Sequence, residues 1–191
     1  NKGTIHLHDS GFLIVESFMN EGILDFPGKF YLETSKLFWN FGGIHAKNLK
    51  LKANVFYQLF VEGFSPIIDA EKLSIETFEE MKINTGEVSV NLMNITCLGT
   101  FENDIAIKGN DIKLTIQNPS INRGLFEFEN IDFKSFSSFI NQGIIHAEET
   151  MNITIEPDRC FYQENTLITP NLTINGKNIS YSTDIYSFGL V

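Results

Sequence analysis

The sequence predicts an all-β fold: a right-handed parallel β-helix of about nine coils of roughly twenty residues each, forming one repeat domain over residues 1–191. Three observations carry this expectation. The tripeptide Asn-x-Gly recurs at Asn1-Gly3, Asn20-Gly22, Asn40-Gly42, Asn84-Gly86, Asn122-Gly124 and Asn141-Gly143. Each copy is followed by two short runs in which apolar residues alternate with polar ones, the mark of a strand with one buried and one wet face. The composition agrees, with 18 Phe, one Trp and many Ile and Asn; strand and turn formers dominate over the Ala, Leu and Arg of helical faces.

Taken in order, each coil opens at a corner where Asn and Gly are expected to accept a tight, left-handed backbone. The first run then turns Ile5 and Leu7, Leu24 and Phe26, Ile44 and Ala46, Val88 and Val90, Phe126 and Phe128, or Ile145 and Ala147 inward. The second run is expected to bury Phe12 and Ile14, Phe30 and Leu32, Leu49 and Leu51, Leu73 and Ile75, Ile112 and Leu114, Ile131 and Phe133, Met151 and Ile153, and Leu172 and Ile174. A shorter third run precedes the next Asn, with Leu37 and Trp39, Met81 and Ile83, or Ile140 as its inward members. Where a coil lacks Asn-x-Gly, Pro66–Ala70, Asn103–Ile107 and Asn165–Thr169 stand in for it.

Equivalent strands of successive coils would pair in parallel, about 4.8 Å apart, giving a rod roughly 40 Å long. Right-handedness follows from the general rule for parallel crossovers. A leucine-rich horseshoe has a similar period but needs L-x-x-L-x-L-x-x-N in every unit, and that string does not occur.

The formal net charge of −10 disfavours nucleic acid and anionic membrane surfaces as partners, since both require clustered cations. Membrane insertion is not expected, because no apolar run approaches bilayer-spanning length. The start at Asn1 and the lack of an evident cap on the terminal coils predict a fragment of a longer chain.

Two strings resemble a known family. Trp39-Asn-Phe-Gly-Gly-Ile-His-Ala-Lys-Asn-Leu-Lys-Leu-Lys-Ala53 and Ile140-Asn-Gln-Gly-Ile-Ile-His-Ala-Glu-Glu-Thr-Met-Asn-Ile-Thr154 are similar to the repeats of filamentous-haemagglutinin-type exoproteins. The resemblance implies a β-helical rod exported by two-partner secretion to the bacterial cell surface. Members serve as adhesins or as stalks of contact-dependent inhibition toxins. The chain departs from the family in its Phe content and in the corners that lack Gly. Asn118-Pro-Ser-Ile121 is too far from the secretion-domain signature for that domain to be assigned.

Candidate chemistry is sparse. His6, Asp25, His45 and Asp69 share one outward slot, so they should form a vertical ladder on one flank, near enough for hydrogen bonds or a shared metal. A solvated ladder of alternating residue types is the ordinary reading of such positions, and no metal or cofactor is expected. Cys97 should lie inward and Cys160 about 14 Å away along the rod, beyond disulfide reach. Neither a G-x-S-x-G elbow, a phosphate-cradling loop nor H-E-x-x-H is present.

Two long coils offer a binding surface instead. The segments 54–64 and 159–164 should bulge outward, where Phe56, Tyr57, Phe60, Phe161 and Tyr162 either act as aromatic anchors or fold back over the core and against adjoining coils. The expected function is thus non-catalytic: an adhesin, receptor-binding region or stalk meeting a cell-surface receptor protein or glycan. The competing class is a polysaccharide-processing enzyme or phage-spike-like protein. An elongated groove with an acidic cluster would favour the enzyme.

Overall fold

In the computed structural model, residues 1–7, 9–63, 65–176, 178–181 and 185–187 are described. They form a parallel β-solenoid that is 76% strand and contains no helix. On one face the register runs through Gly11, Phe30, Leu49, Leu73, Met93, Ile112, Ile131, Met151 and Leu172. These nine rungs enclose about eight full turns.

Each turn has three faces. The first stacks Ile5, Leu24, Ile44, Ile68, Val88 and Ile107 in register. The second carries the ladder just named, and the third stacks Phe18, Phe38, Phe56 and Met81. Strand bonding often continues around the bends, so Ile23–Asn40 and Gly43–Gln58 each traverse all three faces as one bent strand. Aromatic stacking reinforces the third face: Phe18, Phe38 and Phe56 lie 5.7 and 5.4 Å apart between successive ring centroids, and Phe139 and Phe161 5.8 Å apart.

Gly86 has the left-handed backbone expected of a corner, with φ +87°, but Gly22, Gly42, Gly124 and Gly143 have a different cause. Among described residues no non-glycine has positive φ, and Gly22, Gly42, Gly124 and Gly143 do not either. What excludes a side chain is the previous coil. A Cβ on Gly42 would sit 2.0 Å from the Gly22 carbonyl oxygen, and one on Gly143 1.9 Å from that of Gly124. Those oxygens are fixed, each accepting from the next amide, Gly43 N–H at 2.9 Å and Ile144 N–H at 2.9 Å.

The Asn of the motif is likewise not a left-handed corner residue. Asn20, Asn40, Asn103, Asn122 and Asn141 point inward and are fully buried. Asn1 Nδ2 donates to Asn20 Oδ1 at 3.0 Å, Asn20 to Asn40 at 2.9 Å, and Asn40 to Gln58 Oε1 at 3.2 Å. A second chain runs Asn103 to Asn122 at 2.8 Å, Asn122 to Asn141 at 2.7 Å, and Asn141 to Gln163 at 3.1 Å. Buried amides cost little when paired in this way.

This ladder corrects the phase of the third run in two coils, while Met81 and Ile83 are buried as expected. Phe38 and Asn40, not Leu37 and Trp39, face inward, and Phe139 and Asn141 flank an outward Ile140. The first coil is also shifted by one. Phe12 pairs with Tyr31 and Ile14 with Glu33, so both point to solvent, 77% and 62% exposed, while Gly11 and Leu13 face the core. Apolar residues fill both faces of Phe12–Val15, so local alternation leaves the phase open and pairing with the next coil sets it.

Candidate binding groove

A concavity of about 860 Å³ runs lengthwise over the bend into the second face. Its floor is the inward column Phe30, Leu49, Leu73, Met93, Ile112 and Ile131, each at most 6% exposed. Side chains one residue to either side point outward and form two rims. One rim carries Lys29, Asn48, Lys72, Leu92, Asp111 and Asn130; the other carries Tyr31, Lys50, Ser74, Asn94, Lys113 and Asp132. The pairing shifts by a residue between Phe26 and Lys29 and between Phe128 and Asn130, which marks the bend that makes the surface concave.

The groove is electrostatically uneven. Lys29, Lys50 and Lys72 are exposed and have no carboxylate among the described residues within 4.0 Å, whereas Lys52, Lys82 and Lys108 on other flanks are ion-paired. Lys50 Nζ lies 5.6 Å from the Tyr31 ring centroid. The Tyr31 hydroxyl donates to Glu33 outside the rim, and that bond, aided by desolvation, pushes the phenol up to about 12. It also holds the Glu33 carboxyl below its ordinary range. Further along, Thr150 Oγ1 donates to Asn130 Oδ1 at 2.6 Å, and Asn130 Nδ2 donates to Asp111 at 2.9 Å. Asp132 lies 3.9 Å from Lys113 Nζ.

The expected flank ladder forms on the first face. His6 pairs with Asp25, Asp25 with His45, and His45 with Asp69. His6 Nδ1 is 2.6 Å from the Asp25 carboxylate and His45 Nδ1 3.9 Å from that of Asp69. The column continues through Ser89, Lys108, Glu127 and His146, with Lys108 2.6 Å from Glu127, so no two acidic residues are stacked directly on one another. Among the described residues no group of three His, Cys, Asp or Glu could hold a metal ion.

The aromatic anchors separate into three fates. Phe56 and Phe161 are fully buried in the third-face stack and are withdrawn as contact residues. Tyr57 is half-buried and donates its hydroxyl to Glu80, at the head of a charged run in which Lys82 bridges Glu80 and Glu102 and Arg123 bridges Glu102 and Asp104. Phe60 and Tyr162 are exposed, at 71% and 41%. The structure does not bring these two together: their coils are five rungs apart, about 24 Å along the rod. The long coils bulge elsewhere than expected. Asn54–Gln58 stays in strand and the excursion begins at Leu59; Phe64, at its end, lies outside the described residues. In the second long coil the extra residues form the turn at Glu156–Arg159, before Cys160–Gln163 resumes the ladder.

The sequence signal for these fates is Phe-x-Asn/Gln. It recurs at Phe18-Met-Asn20, Phe38-Trp-Asn40, Phe56-Tyr-Gln58, Phe101-Glu-Asn103, Phe139-Ile-Asn141 and Phe161-Tyr-Gln163. The same string marks Phe56 and Phe161 as core. Both cysteines are free; Cys97 is buried, which pushes its thiol up, and it accepts a hydrogen bond from Thr77 Oγ1 at 3.2 Å.

Fold and geometry together define a parallel β-solenoid with a lengthwise, apolar-floored groove. No family model matches the chain, and no curated protein or solved structure is significantly similar to it.

Proposed function

We propose that this chain is a binding rod, a segment of a bacterial surface or secreted exoprotein whose groove engages an elongated receptor ligand without turning it over. One observation carries the reading: the groove spans seven rungs or more, from Lys29 to Thr150, on a scaffold held by continuous ladders. A ligand lying along it meets rigid side chains at a fixed repeat, which lowers the ordering cost of binding. The likeness to filamentous-haemagglutinin-type repeats supports export to the cell surface, and the exposed Phe60 and Tyr162 offer further contact points on another face.

The test is a surface-binding assay with labelled protein on cells and on a glycan array. Asn94→Trp fills the groove from an outward position and leaves the core intact. Binding that falls at least tenfold in this variant, and is unchanged in Asp69→Ala on the adjoining first face, agrees with the reading. Equal binding by both variants sinks it.

Glycan cleavage is the reading from another class, and Asp111 and Asp132, on adjacent rungs and opposite rims, are the acids it would draw on. Both already have partners in Asn130 and Lys113. Release of reducing ends that stops in Asp111→Asn and Asp132→Asn would replace the binding-rod reading with this one.

A further inference from the structure

We propose that the first half of the groove is a site for a linear anionic polysaccharide, one bearing a carboxylate or sulfate on each sugar. The inference rests on the binding-rod reading and names its ligand. Three features point to this chemistry.

The first is local charge. In a chain of net charge −10, three consecutive rungs place Lys29, Lys50 and Lys72 at the groove with no carboxylate among the described residues within 4.0 Å. The carboxylates that line the groove, Asp111 and Asp132, lie two or more rungs further on. Unpaired cations gathered on one concave surface select an anion and steer it there.

The second is geometry. Lys29 and Lys72 stand on one rim and Lys50 on the other, one lysine per rung. A pyranose ring advances an extended glycan by roughly one rung spacing, about 4.8 Å. In a ribbon with two-fold screw symmetry, successive sugars turn their substituents to alternate sides. The alternation of the lysines matches that pattern. An extended acidic peptide advances about 3.3 Å per residue and falls out of step with the rungs.

The third is the remaining lining. On the rims, Tyr31 and the 40% exposed Leu92 offer apolar surface to the C–H faces of sugar rings, and Asn48, Ser74 and Asn94 supply amide and hydroxyl groups for sugar hydroxyls. A bare phosphate or carboxylate would have no use for these apolar contacts.

The test is calorimetric titration of the chain with three probes of six units each: β-1,4-linked hexamannuronate, the neutral cellohexaose, and hexaglutamate. Hexamannuronate should bind at least tenfold more tightly than the other two and weaken as salt rises. Lys50→Gln should weaken it about threefold and the triple Lys29→Gln, Lys50→Gln, Lys72→Gln variant at least tenfold, while Lys134→Gln, away from the groove, leaves it unchanged. Circular dichroism checks that each variant keeps its fold. Comparable binding of cellohexaose, comparable binding of hexaglutamate, or indifference to the triple substitution would each overturn the proposal. Groove-dependent cell binding that hexamannuronate fails to compete would sink the ligand class and leave the binding rod standing. Reducing ends appearing during titration would do the reverse, removing the non-catalytic reading and supporting the ligand.

Discussion

Tyr31 ties the groove rim to the flank beside it. Its hydroxyl donates to Glu33, and Lys50 lies across its ring. The folded protein therefore favours the protonated phenol, raising it from 10.0 to about 12. A group whose pKa rises on folding contributes stability that is complete below its unfolded value and is lost as pH climbs through the folded one. The contribution of Tyr31 is thus intact below about pH 10 and disappears toward pH 12. Following phenolate absorbance against pH should show one tyrosine ionising near the upper value, returning toward 10.0 in Glu33→Gln. A titration identical in the two proteins would mean that the hydrogen bond does not persist in solution.

At the scale of elements, the unit of stabilisation is the ladder, and the amide ladder is the most demanding one. Asn122 accepts from Asn103, donates to Asn141, and donates again to the Gly124 carbonyl at 3.2 Å. Asn122→Leu should lower stability by about 2 kcal/mol, because buried amide groups on both sides lose a partner. Thermal and urea unfolding measure this, and a variant as stable as the parent would contradict it. The natural interruption at Ile83 shows the condition for tolerance. Gln58 Nε2 there donates to the Thr85 carbonyl at 2.9 Å, and Asn103 Oδ1 accepts from Ile105 N–H at 3.3 Å, so the chain ends are tied off by backbone. Gln takes the place of Asn at Gln58 and Gln163, beside the two insertions, one following Gln58 and the other preceding Gln163.

Over the whole molecule, each coil is supported by its neighbours in the stack, so stability should vary along the rod rather than be uniform. The first coil holds Gly11, Leu13 and Val15 only half-buried and leaves Phe12 and Ile14 exposed. The central coils bury Val88, Ile95, Phe101, Ile107, Leu114 and Ile116 almost completely. Amide hydrogen exchange should therefore be fastest in Gly11–Asn20 and slowest in Glu87–Ile116. Uniform protection along the chain would show a single cooperative unit instead. The same stacking makes the groove a rigid feature, since its floor belongs to the core.

What the sequence by itself determined is whatever repeats: the period, the parallel stack, the inward columns of the first and second faces, and the outward His6–Asp25–His45–Asp69 ladder. Each coil restates these rules locally, so they survive the loss of a motif in any one coil. Tertiary structure decided the rest. Register between coils chose the phase of Phe12–Val15 and of Leu37–Asn40, where apolar residues occupy both faces and alternation is indifferent to a shift of one. It turned the motif Asn inward as one link of an amide chain and buried Phe56 and Phe161, both of which depend on the coils above and below. The groove was the least legible feature, because a concavity comes from the angle at which strands bend and not from residue type. Lys29, Lys50 and Lys72 are unremarkable in a chain with ten excess negative charges; stacking set them one rung apart on facing rims.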